Sequence, residues 1–458
     1  GEENDFCLRA RHLGWRHLAV PSAFVAHHGS QSFNAARDDL LRRNLATLNR
    51  LHPGYDRLIA DWQARDPLHA ARRRLDRARL LRTLAGRPSV LLVTHDRAGG
   101  VRRHVAERCL AIARDGGAPL VLRPANSKDA RGRIGWHAVV LDDGFDDTYP
   151  NLRFRLPAER ADLAALLGEC AVSTIEVHSL IGHHDSLLDL LLARGAPIDV
   201  SIHDYAWFCP RITLTAAGHR YCGEPPIASC RDCVATNGTN LEEDVSPDAL
   251  VARSARLFAQ ARAIVAPSRD AARRIRNHFP DASVTPRPWE AAAPPAPRAA
   301  PPAAGGTRRV RVGLIGAIGP EKGYDTLLAC ARAAAAGGSR LEFVVIGHTS
   351  DDRRLLDTGA VRITGRYEEQ EAAALIAAQA VDFAWLPAAW PETWSHELTL
   401  AWQAGLPVVV PDIGAPAERV RAQGGGLVVP LNLPPERLVA LFLDPALFHP
   451  GPSPRRAA

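Results

Sequence analysis

Leu314-Ile315-Gly316-Ala317-Ile318-Gly319-Pro320-Glu321-Lys322-Gly323 is the stretch on which the fold turns. An apolar run over residues 310–315 enters it as a strand, and a helix-period segment leaves it, which is the joint of a β/α unit. Backbone N–H groups at the start of such a helix, with the helix dipole behind them, suit an anion, and a lysine adds a point charge for phosphate. Lys128 and Lys322 are the only lysines among 56 basic residues, so a lysine at this turn is unexpected if the turn is merely structural. Gly316, Gly319 and Lys322 are therefore candidate phosphate-binding residues; the bland alternative is an ordinary strand-to-helix turn with a surface lysine.

The same pattern extends in both directions. Further strands are expected at 342–346, 361–364, 382–386 and 407–410, and upstream at 90–94, 120–123, 174–177, 199–203 and 263–266, each followed by a helix-period segment. Between the two series lies a Pro/Ala-rich linker at 291–309, with Pro294, Pro295, Pro297, Pro301 and Pro302. The expected architecture is α/β: two doubly wound, Rossmann-like lobes at 89–290 and 310–445 facing a cleft, with a tail at 446–458. Residues 1–66 form a short segment that is no complete domain, and 67–88 read as a basic helical linker. Ligands in such sheets bind outside the carboxyl ends of the strands.

Composition narrows the classes. The chain has 458 residues, 46% hydrophobic and 23% charged, ordinary for a globular protein. No apolar run reaches the length of a membrane-spanning helix, and the acidic opening Gly1-Glu2-Glu3-Asn4-Asp5 is not a secretory signal. The expected location is the cytoplasm. The net charge of +6 concentrates in residues 65–87; without interleaved aromatics it argues against nucleic acid and for a solvated helix that skims the inner membrane surface. The opening lacks methionine and the composition contains none, so a fragment of a longer reading frame is expected; the arginine bias with abundant Ala, Gly and Pro suggests a GC-rich bacterial source.

Downstream comes Leu386-Pro387-Ala388-Ala389-Trp390-Pro391-Glu392-Thr393-Trp394-Ser395, then a helix, then Gly405-Leu406-Pro407-Val408-Val409-Val410. Together with the Lys-Gly turn, this resembles the retaining GT-B glycosyltransferases of family four over about residues 89–444. The resemblance implies that Lys322 grips the donor diphosphate, that Glu392 contacts the transferred sugar, and that the backbone of Thr393, Trp394 and Ser395 lies near the phosphates. Taken alone, Glu392 reads as a helix N-terminal acid favoured by the dipole. Two positions depart from the family: Ala317 stands where many members have arginine, and Leu400 where many have a second glutamate for the ribose. Glu397 falls on a different helix face and is no obvious substitute.

In the first lobe, Gly99-Gly100 and His104 follow the first strand, and His203-Asp204 closes the strand at 199–203. The resemblance assigns Gly99, Gly100 and His104 to acceptor binding and His203 to the reacting sugar; the alternatives are a tight turn and a turn-capping histidine. Cys209, Cys222, Cys230 and Cys233 cluster in one loop, where a tetrahedral structural zinc stands against four unligated thiols.

Residues 1–40 carry a separate resemblance, in Gly1-Glu2-Glu3-Asn4-Asp5, Gly14-Trp15 and Val25-Ala26-His27-His28. They resemble the end of an inverting GT-A-fold glycosyltransferase of family two. There Glu3 or Asp5 would serve as base and His28 would approach a divalent metal held by an upstream domain. The alternative is a nonfunctional tail. The whole is thus expected to be a tandem glycosyltransferase of bacterial surface polysaccharide synthesis. The second transferase would use a nucleotide-sugar donor and a saccharide or lipid-linked acceptor, with no cofactor required for transfer. A degenerate sugar-binding scaffold and a nucleotide-sugar epimerase of the same fold remain the alternatives.

Overall fold

The computed structural model describes residues 2–18, 20, 37–128, 134–290, 308–444 and 447. The chain divides into two compact units, residues 1–75 and 76–458. The first contains the helices Glu2–His12, Arg37–Leu51 and Tyr55–Arg65, and neither Glu2–His12 nor Tyr55–Arg65 has a buried residue.

The division falls inside the helix His69–Leu84, within the basic linker expected at 67–88. Leu80 and Leu84, four residues apart on one face, pack into the core of the second unit. Asp76 is buried there and accepts hydrogen bonds from Asn151 N and Nδ2 at 3.1 and 2.8 Å.

The second unit has two lobes. The first carries β1 (Ser89–Val93), β2 (Ala118–Pro124), β3 (Ser127–Lys128), β4 (Ile134–Asp142), β5 (Arg153–Leu156), β6 (Val172–Val177), β7 (Ile198–Ser201), β8 (Ala261–Ala266) and β9 (Val284–Pro286). Their order is β3-β4-β2-β1-β6-β7-β8-β9, with β5 on β4. From β2 to β9 the pairing is parallel, and β4 runs antiparallel to β2, β3 and β5. All five strands expected here form. The antiparallel margin escaped because β5, Arg-Phe-Arg-Leu, buries only alternate residues, and β4 opens on half-buried Ile134 and exposed Gly135 and Trp136 before its apolar run.

The second lobe carries β10 (Val310–Ile318), β11 (Leu341–Thr349), β12 (Val361–Ile363), β13 (Phe383–Trp385), β14 (Val408–Pro411) and β15 (Gly426–Val429), in the order β12-β11-β10-β13-β14-β15 and parallel throughout. Strand β10 runs farther than its apolar residues suggest. Gly316 is still paired, to Gly347, and a Cβ on Gly347 would lie 2.1 Å from Gly316 O, so the strands approach there only without a side chain. The central strands, Val312, Leu314, Phe343, Val345 and Val409 among them, are near-continuous apolar runs, as helices on both faces require.

The lobes touch directly. Tyr205 Oη donates to Pro391 O at 2.8 Å, and Thr393 Oγ1 donates to His203 O at 2.6 Å. Glu418 accepts from Arg269 N and Asp270 N at 3.0 and 2.7 Å, an acid on the N-terminus of helix Arg269–His278.

Candidate active site between the lobes

The turn after β10 places Lys322 where the sequence expects it, in front of the helix Tyr324–Ala336. Gly323 has φ +87°, and a Cβ there would sit 2.1 Å from Pro387 O, so the turn can close on the β13 loop only with glycine. Gly316 and Gly319 flank the same turn. Lys322 Nζ lies 2.8 Å from Glu392 Oε1 and 2.8 Å from Glu397 Oε1. Burial works against its charge, but the two carboxylates outweigh it and hold the ammonium well above the usual lysine range. Burial likewise opposes ionisation of Glu397, and Lys322 overrides it, keeping that carboxyl low.

Glu392 is 4% exposed, and its Oε2 is buried without a hydrogen-bond partner. Such an orphan beside an occupied partner oxygen is the mark of a group with work left to do. Glu397, set aside on sequence grounds, joins the site because Gly316 leaves room: a Cβ there would come within 3.3 Å of Glu397 Oε1. Ala317 leaves Lys322 without a neighbouring arginine, and Leu400 is half-buried against the apolar cluster of Ile315 and Leu398.

Thr393, Trp394 and Ser395 form the loop between Glu392 and the helix His396–Gln403, with Ser395 in the left-handed region at φ +67°. Arg419 holds this loop and was not foreseen. Its guanidinium, buried at 3% exposure, donates to Trp394 O at 3.1 Å, Ser395 O at 2.8 Å and Thr399 Oγ1 at 2.8 Å, and stacks 3.9 Å from the Trp394 ring centre. Burial draws its pKa down to about 10 although Glu290 and Glu392 oppose this. In a chain so rich in arginine, nothing local marks position 419 as different.

On the first-lobe side, Gly99 (φ +120°) precedes helix Gly100–Arg114, and no atom lies within 4 Å of where a Cβ on Gly99 or Gly100 would stand. That open space fits the expected approach of a ligand to the backbone. His104, one turn along, meets His178 and His203, with ring centres 5.6 and 5.0 Å away. His178 Nδ1 and His203 Nε2 are 3.0 Å apart. Burial first, then the neighbouring imidazoles, pushes His104 to about 4 and His203 well below the usual histidine range, so both are neutral at pH 7. Strand β7 stops at Ser201, which puts His203 on the loop that Thr393 grips. His178 was missed, although it stands directly after β6 as His203 stands near the end of β7. Trp289 covers the cluster, 4.4 Å from His104 and 5.2 Å from His203. Beside it, Glu290 lies 3.4 Å from His396 and 3.9 Å from Arg103; the His396 hydrogen bond keeps it low, against burial.

A cavity of about 980 Å³ opens beside the same turn, lined by Tyr221, Pro320, Gly323, Asp325 and Pro434 among others, but not by Lys322, Glu392 or His203.

Cys209, Cys222, Cys230 and Cys233 are half-buried free thiols. They lie near one another: burial first, and then the charges of neighbouring thiols, raise the pKa of Cys209, Cys222 and Cys230, although among the described residues no three of the sulfurs come within 4.8 Å of one another. The sulfurs serve local contacts: Cys222 Sγ accepts from Glu224 N at 3.4 Å and Cys233 Sγ from Asn237 Nδ2 at 3.6 Å. In the first unit, Glu3 is exposed on helix Glu2–His12, and Asp5 pairs with His52 at 2.8 Å and Arg9 at 3.0 Å. His28 lies outside the described residues.

Residues 309–443, the lobe carrying Lys322 and Glu392, match the family described as glycosyl transferases group 1. Sucrose-phosphate synthase from Thermosynechococcus elongatus has a similar structure, with a TM-score of 0.51 at 15% identity over 79% of this chain and 91% of that one. HepE from Anabaena in complex with UDP aligns with a TM-score of 0.46 at 13% identity, over 78% and 88% of the two chains. No curated protein sequence matches the chain. The fold is GT-B, two Rossmann-like lobes facing a cleft. The family match thus falls on the lobe that holds the phosphate turn.

Proposed function

We propose that the chain transfers a sugar from a nucleotide diphosphate to a hydroxyl of a saccharide or lipid-linked glycan, with retention of anomeric configuration, in the synthesis of a bacterial surface polysaccharide. The observation that carries this is Glu392: one carboxylate oxygen on Lys322, the other buried and unpaired, at the boundary where Thr393 meets His203. A sugar hydroxyl donating to Glu392 Oε2 would satisfy the orphan, and the diphosphate would draw Lys322 toward itself. As the bond from the anomeric carbon to the diphosphate breaks, the leaving group takes the electron pair, the acceptor hydroxyl oxygen bonds to that carbon, and its proton passes to the departing diphosphate. Lys322 and the amides of the Thr393–Ser395 loop take up that charge, a stabilisation that is largest in a water-poor site. Gly99 and Gly100 give the acceptor room, and His203 orients the sugar from the first lobe.

The test is calorimetry of the intact chain against a panel of nucleotide sugars. Binding of at least one donor in the micromolar to millimolar range, lost in Lys322→Ala, is expected. A folded protein that binds none would instead make this lobe a scaffold.

A further inference from the structure

Three imidazoles from three different elements converge on the first-lobe wall of the cleft. His104 comes from the first turn and a half of helix Gly100–Arg114, His178 from the end of β6, and His203 from the loop after β7. One ring nitrogen of each lies within 4.8 Å of the other two. The 3.0 Å between His178 Nδ1 and His203 Nε2 is close to the ligand-to-ligand edge, about 3.3 Å, of a tetrahedron with zinc–nitrogen bonds of about 2.0–2.1 Å.

We propose that His104, His178 and His203 bind one divalent transition-metal ion of the zinc type, with its fourth position open to the cleft.

A second, independent arrangement supports this. The other nitrogen of His178, Nε2, is buried with no hydrogen bond, and Glu176 Oε2 stands 3.7 Å from it. Glu176 is itself fixed by Arg108, whose Nε and Nη2 reach its oxygens at 2.7–3.0 Å. A buried carboxylate behind a histidine orients the ring and raises its basicity toward a metal, and a small turn of His178 closes the gap. The ring of Trp289 walls off the side of His104 and His203, so a bound ion would be shielded except toward the cleft. Three imidazole nitrogens with a vacant fourth position form the donor set of an ion that binds an exchangeable oxygen ligand, here a hydroxyl of the sugar or the acceptor. The ion would belong to the first lobe and does not depend on the donor assignment.

The test uses the intact chain, stripped with a chelator and titrated with Zn²⁺ or Co²⁺. One ion per chain is expected, with a cobalt spectrum of tetrahedral nitrogen and oxygen coordination and no thiolate charge-transfer band. His178→Ala/His203→Ala should abolish it, Glu176→Gln should weaken it by about 10–100-fold, and Cys209→Ser should leave it intact. Circular dichroism checks folding, and the wild-type cobalt spectrum stands even if a variant does not fold. No bound ion in the wild type, a thiolate band, or loss of the ion in Cys209→Ser would overturn the proposal.

Discussion

Lys322 Nζ and Glu397 Oε1 meet at 2.8 Å, so the cation expected to hold a diphosphate is already held by an acid from the first turn of the following helix. With Glu392 equally near, one positive charge faces two negative ones. An incoming diphosphate must therefore displace or share this arrangement. Glu397→Gln is expected to tighten nucleoside diphosphate binding about tenfold, about 1.4 kcal/mol, by removing the competing charge. Lys322→Ala is expected to weaken it about tenfold or more, since charge-assisted contacts contribute about 1.5–3 kcal/mol. Calorimetry at pH 7 reads both; weaker binding in Glu397→Gln would mean that this carboxylate touches the nucleotide itself.

Arg419 acts on the same loop from beneath. Arg419→Leu leaves Trp394 O, Ser395 O and Thr399 without their buried donor and frees Ser395 from its left-handed backbone. The expected cost is about 3 kcal/mol of stability, with donor KM raised about tenfold or more. Denaturant melts and donor titrations check the two effects. A variant as stable as the wild type with unchanged KM would remove Arg419 from the account.

Acid stability is expected to hinge on Glu224, which pins the cysteine loop to helix Arg269–His278. It takes a hydrogen bond from Tyr221 Oη at 2.7 Å and contacts Arg274 and, at 3.4 Å, His278 Nε2. Burial pushes its carboxyl up, but these partners outweigh it and bring it down to about 2. The folded value lies below the unfolded one of about 4.3, so this stabilisation is complete above that pH and lost as pH falls toward 2; its upper limit is about 3 kcal/mol. Glu224→Gln should be less stable than the wild type at pH 7, with the difference shrinking between pH 4.5 and 2. A pH-independent difference in chemical melts would contradict this.

Ten of the twelve parallel strands were legible because a strand buried on both faces is largely apolar, and ten such runs stand out between Gly, Pro and Asp. β3, β4, β5, β9 and β15 were not: β3 and β9 are only two and three residues long, β4 opens on largely exposed residues, Arg153 and Arg155 alternate with the two buried residues of β5, and Gly426 opens β15. The placement of Lys322 and Glu392 together was legible because each belongs to a local motif with its own turn. Glu397, Arg419, His178, Trp289 and Glu290 were not, since their roles arise from contacts across the fold. Arg419 reaches back to Trp394 from a different helix, and Trp289 covers His104 from the segment after β9. Sequence spacing carries no trace of either.

The central claim is that Glu392 and Lys322 serve sugar transfer, and the most direct measurement is nucleoside diphosphate release with and without a saccharide acceptor, in the wild type and in Glu392→Gln. The account predicts release that depends on the acceptor in the wild type and falls about 100-fold or more in the folded variant, whose donor binding changes only a few-fold, the pattern of a contact realised chiefly in the transition state. Equal turnover in both proteins, with donor bound and acceptor consumed, would contradict it.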